Sequence, residues 1–282
     1  MGKKKVLYVS QEIFPYTPEN SMALVGSTLP QKTQESGKDI RIFMPKFGVI
    51  NERRHQLHEV IRLSGMNLII DDFDHQLIIK VASIQQLRMQ VYFIDNEEYF
   101  PRKILFHDEN GNFLDNNDER MIFYCKGVIE TVRKLGWAPD IIHCQGWFSS
   151  LIPLYIKKLY SQDPLFQNTK IVYSIFDSSF KGKISDSLQE KLLFEALNPE
   201  DVDLLQNPTC KNLHLFAVKN ADAIVQASPT IDKSIVKSIL DSGKPFMSYP
   251  GQENYEEAYL EFYEKFIEED SEKKVEALEL IE

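Results

Sequence analysis

Short apolar runs alternate with amphipathic stretches along most of this chain. The runs of consecutive apolar residues that predict buried strands lie at residues 6–10, 39–45, 139–144, 170–177 and within 219–228. Apolar residues at helical spacing predict helices at residues 22–36, 117–135 and 149–161 and from about residue 229 onward. The repeated order of strand, helix and strand predicts an α/β fold, in which helices cover both faces of a doubly wound, mainly parallel sheet.

Two segments depart from this alternation. Residues 59–95 alternate apolar and polar positions in several short runs, which predicts a small antiparallel insertion. Aromatic residues at helical spacing predict an amphipathic helix over 254–269, and they are Tyr255, Tyr259, Phe262, Tyr263 and Phe266. We therefore predict one domain over residues 1–250, followed by an acidic C-terminal helix, 251–282, that packs back on the domain and whose end is either a solvated helix or frayed.

The negative charge of the chain is concentrated at its C-terminus. The 282 residues carry a net charge of −10, and residues 253–282 hold 12 acidic against 3 basic side chains. The rest of the chain is close to neutral, and a general nucleic-acid binder needs a basic face to displace counterions, so we expect no nucleic-acid partner. No stretch approaches about 18 apolar residues, and the N-terminus lacks a signal-peptide pattern. We therefore expect no membrane partner and a cytoplasmic location.

The sequence predicts no metal site, and the candidate ligand-binding residues lie in the loops that follow predicted strands. The three cysteines, Cys125, Cys144 and Cys210, show no Cys-x-x-Cys spacing, so we expect no metal site, no disulfide framework and no cofactor. In a parallel sheet, ligands bind beyond the carboxyl ends of the strands. The loops that follow predicted strands in this way are 10–21, 45–55, 143–149, 176–184 and 227–232.

Several motifs along the chain match one enzyme family in order and spacing. They are "VSQEIFPY" (9–16), "DIRIFMPKFG" (39–48), "VYFIDNEEYFPR" (91–102), "DNNDERMIFYCKGVIETVRKLGWAPDIIHCQGW" (115–147), "SLIPLYIK" (150–157), "KIVYSIFD" (170–177) and "ADAIVQASPT" (221–230). Over roughly residues 5–235 the chain resembles the N-terminal domain of bacterial glycogen synthases and plant starch synthases. No single motif is specific to that family, and the resemblance depends on their common order.

The resemblance implies one lobe of a two-lobed glycosyltransferase with two Rossmann-like domains. In that family the first lobe mainly holds the glucan acceptor, and the second mainly holds ADP-glucose. Glucose is transferred with retention of its anomeric configuration and without a metal. Too few residues follow residue 236 for a second lobe of comparable size, so we expect none in this chain. The helix over 254–269 is similar to the family's last helix, which leaves the second lobe and packs on the first.

The loop after the first strand aligns with the family's diphosphate-binding loop but lacks its chemistry. The family has Lys-Thr-Gly-Gly-Leu here. The lysine position is Pro18, the two glycine positions are Asn20 and Ser21, and a following family aspartate falls on Leu24. Lysine meets the diphosphate charge, and glycines let backbone N–H groups approach it. Proline has neither an N–H nor a charge.

Other family positions are substituted in the same direction. The family's His-x-His-Asp-Trp appears as "HCQGW", with Gln145 and Gly146 in place of the second histidine and the aspartate. Ile-His-Asn appears as "IFD", with Phe176 and Asp177, and Leu-Tyr-Gly appears as "LFH", with Phe106. Groups that would stabilise an oxocarbenium-like transition state and the departing diphosphate are therefore missing. We expect no catalytic residue to be intact.

Two residues of the "HCQGW" motif match the family. His143 and Trp147 are candidate glucan-binding residues. The competing interpretation makes His143 a hydrogen-bonded structural residue and Trp147 a packing residue. In the helix before this motif, we expect Arg120 to hold the N-terminal half together through a salt bridge.

Three hypotheses for function follow. We favour a degenerate, non-catalytic acceptor-lobe protein of glucan metabolism with a binding or regulatory role. Its partner would be an α-glucan or maltooligosaccharide, or a full-length glycogen synthase. The alternative is an active glucosyltransferase that moves glucose from ADP-glucose to an α-1,4-glucan, alone or with a partner lobe. The third is self-association through the face that a second lobe would cover, with residues 193–206 as one candidate stretch.

Overall fold

The computed structural model describes residues 2–195 and 197–279. Its strands are β1 (Lys5–Ser10), β2 (Asp39–Pro45), β3 (His58–Glu59), β4 (Met66–Ile70), β5 (Phe73–Ile84), β6 (Met89–Asp95), β7 (Ile141–Gln145), β8 (Lys170–Ile175), β9 (Ala223–Gln226) and β10 (Phe246–Met247). Its helices are α1 (Ser21–Glu35), α2 (Glu52–His55), α3 (Asn117–Leu135), α4 (Ile152–Lys158), α5 (Leu188–Leu193), α6 (Cys210–Asn220), α7 (Lys233–Asp241) and α8 (Tyr255–Glu279).

The strands join in the order β10-β9-β8-β7-β1-β2-β6-β5-β3, and β4 pairs with β5. Every neighbouring pair from β10 to β6 is parallel. The pairings of β5 with β3, β4 and β6 are antiparallel. The predicted fold class, a Rossmann-like α/β sheet with a small antiparallel insertion, is therefore confirmed.

Helices cover both faces of the parallel sheet. The chain passes from β1 through α1 to β2 in one direction along the sheet. It passes from β6 through α3 to β7, and then through α4 and α6 to β8 and β9, in the other direction. Because parallel crossovers are right-handed, α1 lies on one face and α3, α4 and α6 lie on the other. The C-terminal helix α8 packs beside α1.

The insertion is smaller than the sequence predicts. A two-residue turn joins β4 to β5, with Asp71 and Asp72 at φ 48° and 66°, as a type I′ hairpin requires. The prediction assigned all of 59–95 to antiparallel strands, but β6 also pairs in parallel with β2, where Met44 lies opposite Phe93. The physical reason is burial, because β6 is covered along most of its length, as strands of a parallel sheet are.

Most predicted elements are present, but their boundaries shift and some elements were missed. The predicted helix over 149–161 is shorter, Ile152–Lys158, and follows a 3₁₀ turn at Trp147–Ser149. Neither α5 nor α6 was predicted. Sequence reasoning passed over the N-cap of α6, where Thr209 Oγ1 accepts a hydrogen bond from the Asn212 N–H at 3.2 Å.

The C-terminal helix α8 lies against the domain through one aromatic stripe. Tyr259, Tyr263 and Phe266 are buried, and Lys38 forms an ion pair with Glu264 at 3.2 Å. The predicted fraying falls partly on residues 280–282, which lie outside the described residues. Neither α8 nor any other helix in the described part of the chain combines the length and apolar character that a membrane span needs.

Candidate functional site

The carboxyl ends of β1 and β7 are joined by a buried polar cluster. The Ser10 hydroxyl donates to Gln145 Oε1 at 2.7 Å, and the Gln11 N–H donates to the Gln145 carbonyl at 3.2 Å. Gln145 is fully buried, and its Nε2 has no hydrogen-bond partner among the described residues. Gln145 therefore links two strands at the position where the family has a histidine.

The N-terminus of α1 faces the same edge of the sheet and is capped from within. Asn20 is the N-cap, and its Oδ1 accepts from the Ala23 N–H at 2.9 Å. Its amide donates to Glu12 Oε2 at 2.7 Å, and the Gln11 amide donates to Glu12 Oε1 at 3.2 Å. Pro18 and Ser21 are exposed beside this cap. A mostly buried carboxylate thus stands where the family's loop would meet a diphosphate.

Gly146 makes the turn after β7 in a backbone conformation that favours glycine, and a side chain there would require its neighbours to shift. Its φ is +82°, and a Cβ there would lie 2.6 Å from Gln11 Oε1 and 3.0 Å from the Met22 side chain. The same Gln11 oxygen accepts from the Phe148 N–H at 3.1 Å, which fixes the turn in place. A side chain at this position would strain the backbone and would displace the Gln11 oxygen that accepts from the Phe148 N–H.

His143 lies in a buried hydrogen-bond network beneath α8. Its Nε2 lies 2.6 Å from Ser174 Oγ, and its Nδ1 lies 2.6 Å from the Tyr263 hydroxyl. Tyr8 and Tyr259 complete this group, which we call the His143 network. Burial lowers the pKa of His143 to about 3, so its ring is neutral near pH 7, and one nitrogen donates while the other accepts. A glucan would reach His143 only after α8 had moved.

Trp147 belongs to an aromatic cluster rather than to an open surface. It is 2 % exposed, and its ring centroid lies 4.8 Å from that of Phe106 and 4.8 Å from that of Phe180. The other rings of the cluster are Phe47, Phe113 and Phe148. Phe106, which stands at the family's tyrosine position, therefore packs where a hydroxyl would be desolvated.

Phe176 and Asp177 follow β8, and only the first of them is buried. Phe176 is buried against Met22 and Ala227 in a small apolar cluster. Asp177 is exposed, and its N–H donates to Ser228 Oγ at 2.8 Å. An apolar ring thus fills the position of the family's histidine.

The salt bridge predicted for Arg120 is wrong. Its guanidinium is buried and donates to the Tyr99 carbonyl at 2.9 Å and to Asn117 Oδ1 at 2.5 Å. It also lies over the rings of Phe47 and Phe100, 5.6 Å and 5.2 Å from their centroids. Burial lowers its pKa to about 10, and no ion pair to Arg120 occurs among the described residues.

The cysteines and the acidic side chains assemble no metal centre in the described residues. Cys125, Cys144 and Cys210 are buried free thiols. Among the described side chains, which end at residue 267, no group of three His, Cys, Asp or Glu is arranged to hold a metal ion.

Comparison with known proteins decides the family. The sequence model of the starch synthase catalytic domain matches residues 5–244. The chain belongs to the starch synthase catalytic domain family. It is 39 % identical over 227 residues to a glycogen synthase of Chlorobium luteolum, which covers 79 % of this chain and 45 % of that protein. It is 36 % identical over 235 residues to the glycogen synthase of Chlorobium limicola, covering 82 % and 47 %. The chain thus spans about half the length of these relatives.

A solved structure of the starch synthase family has the same fold. The catalytic domain of starch synthase IV from Arabidopsis thaliana, solved with ADP and acarbose bound, superposes with a TM-score of 0.69 at 15 % identity. The match covers 88 % of this chain and 51 % of that one. At this identity the likeness bears on the fold alone.

The substituted family positions stay a prediction of the motif alignment, and sequence reasoning missed the residues that surround them. The structure brings Asn20, Gln145 and Gly146 together around Gln11 and Glu12, which were not singled out. His143 contacts α8, and Trp147, which directly follows Gly146, packs in the aromatic cluster. A signal for Glu12 existed in the sequence, because it is an acidic residue in a loop whose residues 11–20 contain no lysine or arginine.

Proposed function

We propose that this starch synthase family chain binds α-glucan and does not transfer glucose. The N-terminus of α1 is the main support for the proposal. There the Asn20 side chain accepts a hydrogen bond from the Ala23 N–H, and the Glu12 carboxylate lies beside it, bonded to the Asn20 amide. A helix N-terminus binds anions because its N–H groups are unpaired and its dipole is positive. Here one such N–H group is already bonded, and a second negative charge would face Glu12.

The charges around this loop would make its binding of a diphosphate weak. Residues 11–20 carry no lysine or arginine, and Glu12 forms no ion pair among the described residues. At an effective dielectric constant of about 20, two unit charges about 4 Å apart interact by roughly 4 kcal/mol. An ADP-glucose diphosphate at this edge of the sheet would meet repulsion without the compensation that a lysine at position 18 would provide.

The loops at this edge of the sheet also lack the side chains that would assist glucose transfer. By the motif alignment, Phe176 stands at the position of the family's histidine and Gly146, which has no side chain, at that of its aspartate. Neither residue supplies a charge or a proton near a developing oxocarbenium ion. The family's first lobe mainly holds the acceptor, so an α-glucan or maltooligosaccharide is the ligand class that we assign to this chain.

A second candidate function is favoured by one observation. Three large apolar side chains at the carboxyl edge of the sheet, Phe14, Leu24 and Val49, are 37–39 % exposed. Phe14 and Val49 lie in loops, and Leu24 lies in the first turn of α1. A second lobe or a full-length synthase seated there would cover them. In that case the chain would act as an active glucosyltransferase together with the partner that supplies the nucleotide-sugar site.

Calorimetric titration separates the two functions. We expect the folded chain to bind maltoheptaose, and to bind ADP-glucose at least about 100-fold more weakly than a full-length glycogen synthase does. If the chain does not bind maltoheptaose, the glucan-binding function is contradicted. ADP-glucose binding that approaches the affinity of the full-length enzyme would favour the transferase.

A further inference from the structure

We propose that a cavity between α1 and the segment 249–252 binds a neutral sugar ring, either free glucose or the end unit of a maltooligosaccharide. The choice of sugar among neutral ligands rests on the proposed glucan-binding function. The cavity itself is distinct from the polar cluster around Gln11 and Gln145, because none of that cluster's residues lines it.

The cavity lies where the chain crosses α1 on its way into α8. It measures about 340 Å³, at the lower end of the ~300–1,000 Å³ typical of small-molecule sites. Its apolar wall consists of Leu24, Val25, Ala227, Pro250, Tyr255 and Tyr259. The C–H faces of a pyranose ring suit such a wall, because tyrosine rings offer rigid, amphipathic contact area.

No charged residue lines the cavity. Its eleven lining residues include no Lys, Arg, His, Asp or Glu. A phosphate or diphosphate placed there would be desolvated without a countercharge, which is strongly unfavourable. The chemistry of the wall therefore selects against nucleotide sugars and sugar phosphates and in favour of a neutral ligand.

The rim supplies hydrogen-bonding groups that are free to meet sugar hydroxyls. The side chains of Ser21, Tyr249 and Gln252 make no hydrogen bond to another described residue, although all three line the cavity. Thr28 and Tyr255, which also line the cavity, form a hydrogen bond with each other. A purely apolar ligand would leave the rim groups unused, whereas a sugar ring satisfies both the wall and the rim.

The substituted family positions help to form this wall. Val25 packs on the apolar cluster of Met22, Phe176 and Ala227, and Phe176 stands at a family histidine position. Leu24, at a family aspartate position, adds a further apolar side chain. The substitutions that remove donor chemistry thus leave a neutral cavity beside α1.

The test combines ligand-observed NMR with a matched pair of leucine variants. Saturation-transfer spectra of the full chain would be recorded with glucose, with maltotriose and with adenosine. Leu24→Trp enlarges a partly exposed side chain of the apolar wall so that an indole fills part of the cavity. Leu240→Trp makes the same change on α7, where the side chain is 63 % exposed and lines no part of the cavity. Circular dichroism confirms that both variants fold.

We expect the wild-type chain and Leu240→Trp to bind glucose and maltotriose, and Leu24→Trp to bind them about ten-fold more weakly or not at all. Tyr249→Phe, which removes only a rim hydroxyl, is expected to weaken glucose binding by about three- to ten-fold. Equal binding by the two tryptophan variants would overturn the site. Binding of adenosine but not of glucose would overturn the ligand class.

The proposed function fails on a different result. If the chain binds maltoheptaose and Leu24→Trp binds it equally well, the cavity is not the site but glucan binding stands. If glucose binds in a Leu24-dependent way and maltoheptaose does not bind, the cavity stands and the glucan-binding function is overturned.

Discussion

The Tyr263 hydroxyl lies 2.6 Å from Nδ1 of His143, although 120 positions of sequence separate the two residues. The bond joins α8 to the central strand β7. Ser174 Oγ lies 2.6 Å from the other ring nitrogen, so both nitrogens of this fully buried ring are paired. The C-terminal helix therefore completes a polar network inside the domain as well as covering an apolar face.

Removing the Tyr263 hydroxyl tests this relationship. In Tyr263→Phe, the buried Nδ1 of His143 loses its partner, and we expect the free energy of unfolding to fall by about 1–3 kcal/mol. Tyr249→Phe is the control, since that hydroxyl has no hydrogen bond among the described residues, and its effect should stay within about 0.5 kcal/mol. Urea denaturation measures both. Equal changes in the two variants would refute the structural role of the bond.

Stability should fall as the solution becomes acidic. Burial lowers the pKa of His143 to about 3 and that of His214 to about 4, against about 6.5 in an unfolded chain. Above about pH 6.5 both states are neutral, and the contribution to stability is complete. Below that pH the unfolded chain binds protons that the folded chain does not, so each histidine removes about 1.4 kcal/mol per pH unit until its folded pKa is reached.

A variant isolates the contribution of His143 to this pH dependence. Urea denaturation between about pH 7.5 and pH 4.5 should give a shallower decline for His143→Gln than for the wild-type chain, by about 1.4 kcal/mol per pH unit. Gln90→Asn, which exchanges one neutral side chain for another at an exposed position, should keep the wild-type slope. An unchanged slope in His143→Gln would mean that the buried ring titrates as it does in the unfolded chain.

Restoring the family's aspartate at Gly146 should damage the fold rather than restore chemistry. Gly146→Asp forces a side chain to a φ of +82° and to within 2.6 Å of Gln11 Oε1. Gly182→Asp is a matched control, since its φ is +79° but a Cβ there meets nothing within 4 Å. We expect a loss of about 1–3 kcal/mol from backbone strain in both and a larger loss in Gly146→Asp. Thermal denaturation yielding equal losses would contradict the close approach.

The buried guanidinium of Arg120 should not tolerate replacement by lysine. Arg120→Lys keeps the charge but cannot donate to the Tyr99 carbonyl and Asn117 Oδ1 in the same planar geometry, so we expect a loss of about 1–3 kcal/mol. Arg133→Lys is the control, because Arg133 is 43 % exposed and pairs with carboxylates on the surface, where less than about 1 kcal/mol is at stake. Chemical denaturation that ranks the two variants in the opposite order would contradict this account.

The sequence predicts the sheet and its order of elements because local periodicity and short crossovers encode them. The helix α1 and its end at Gly37, with φ +92°, follow from apolar spacing and a glycine just past the helix. Counting from Pro15 to Pro30 without a gap aligns Pro18 and Asn20 with the family's lysine and glycine positions, and that alignment stays a prediction. These features depend on neighbours in the chain.

The remainder depends on contacts between distant residues. The bond of Asn20 to Glu12 and the pairing of His143 with Tyr263 join segments that periodicity treats separately. Arg120 was expected to need a carboxylate, yet a carbonyl, an amide and two aromatic rings satisfy it. Sequence patterns specify which residues are polar, but the fold determines the partner of each.

The most direct test of the central claim is transfer of labelled glucose from ADP-glucose to glycogen by the purified, folded chain. A full-length glycogen synthase assayed in parallel provides the reference rate. We predict no incorporation above a protein-free blank, because the α1 N-terminus is capped by Asn20 beside Glu12 and the Phe176 and Gly146 positions hold no catalytic group. Incorporation at a rate comparable to the reference would contradict the account and would mean that this edge of the sheet still forms a donor site.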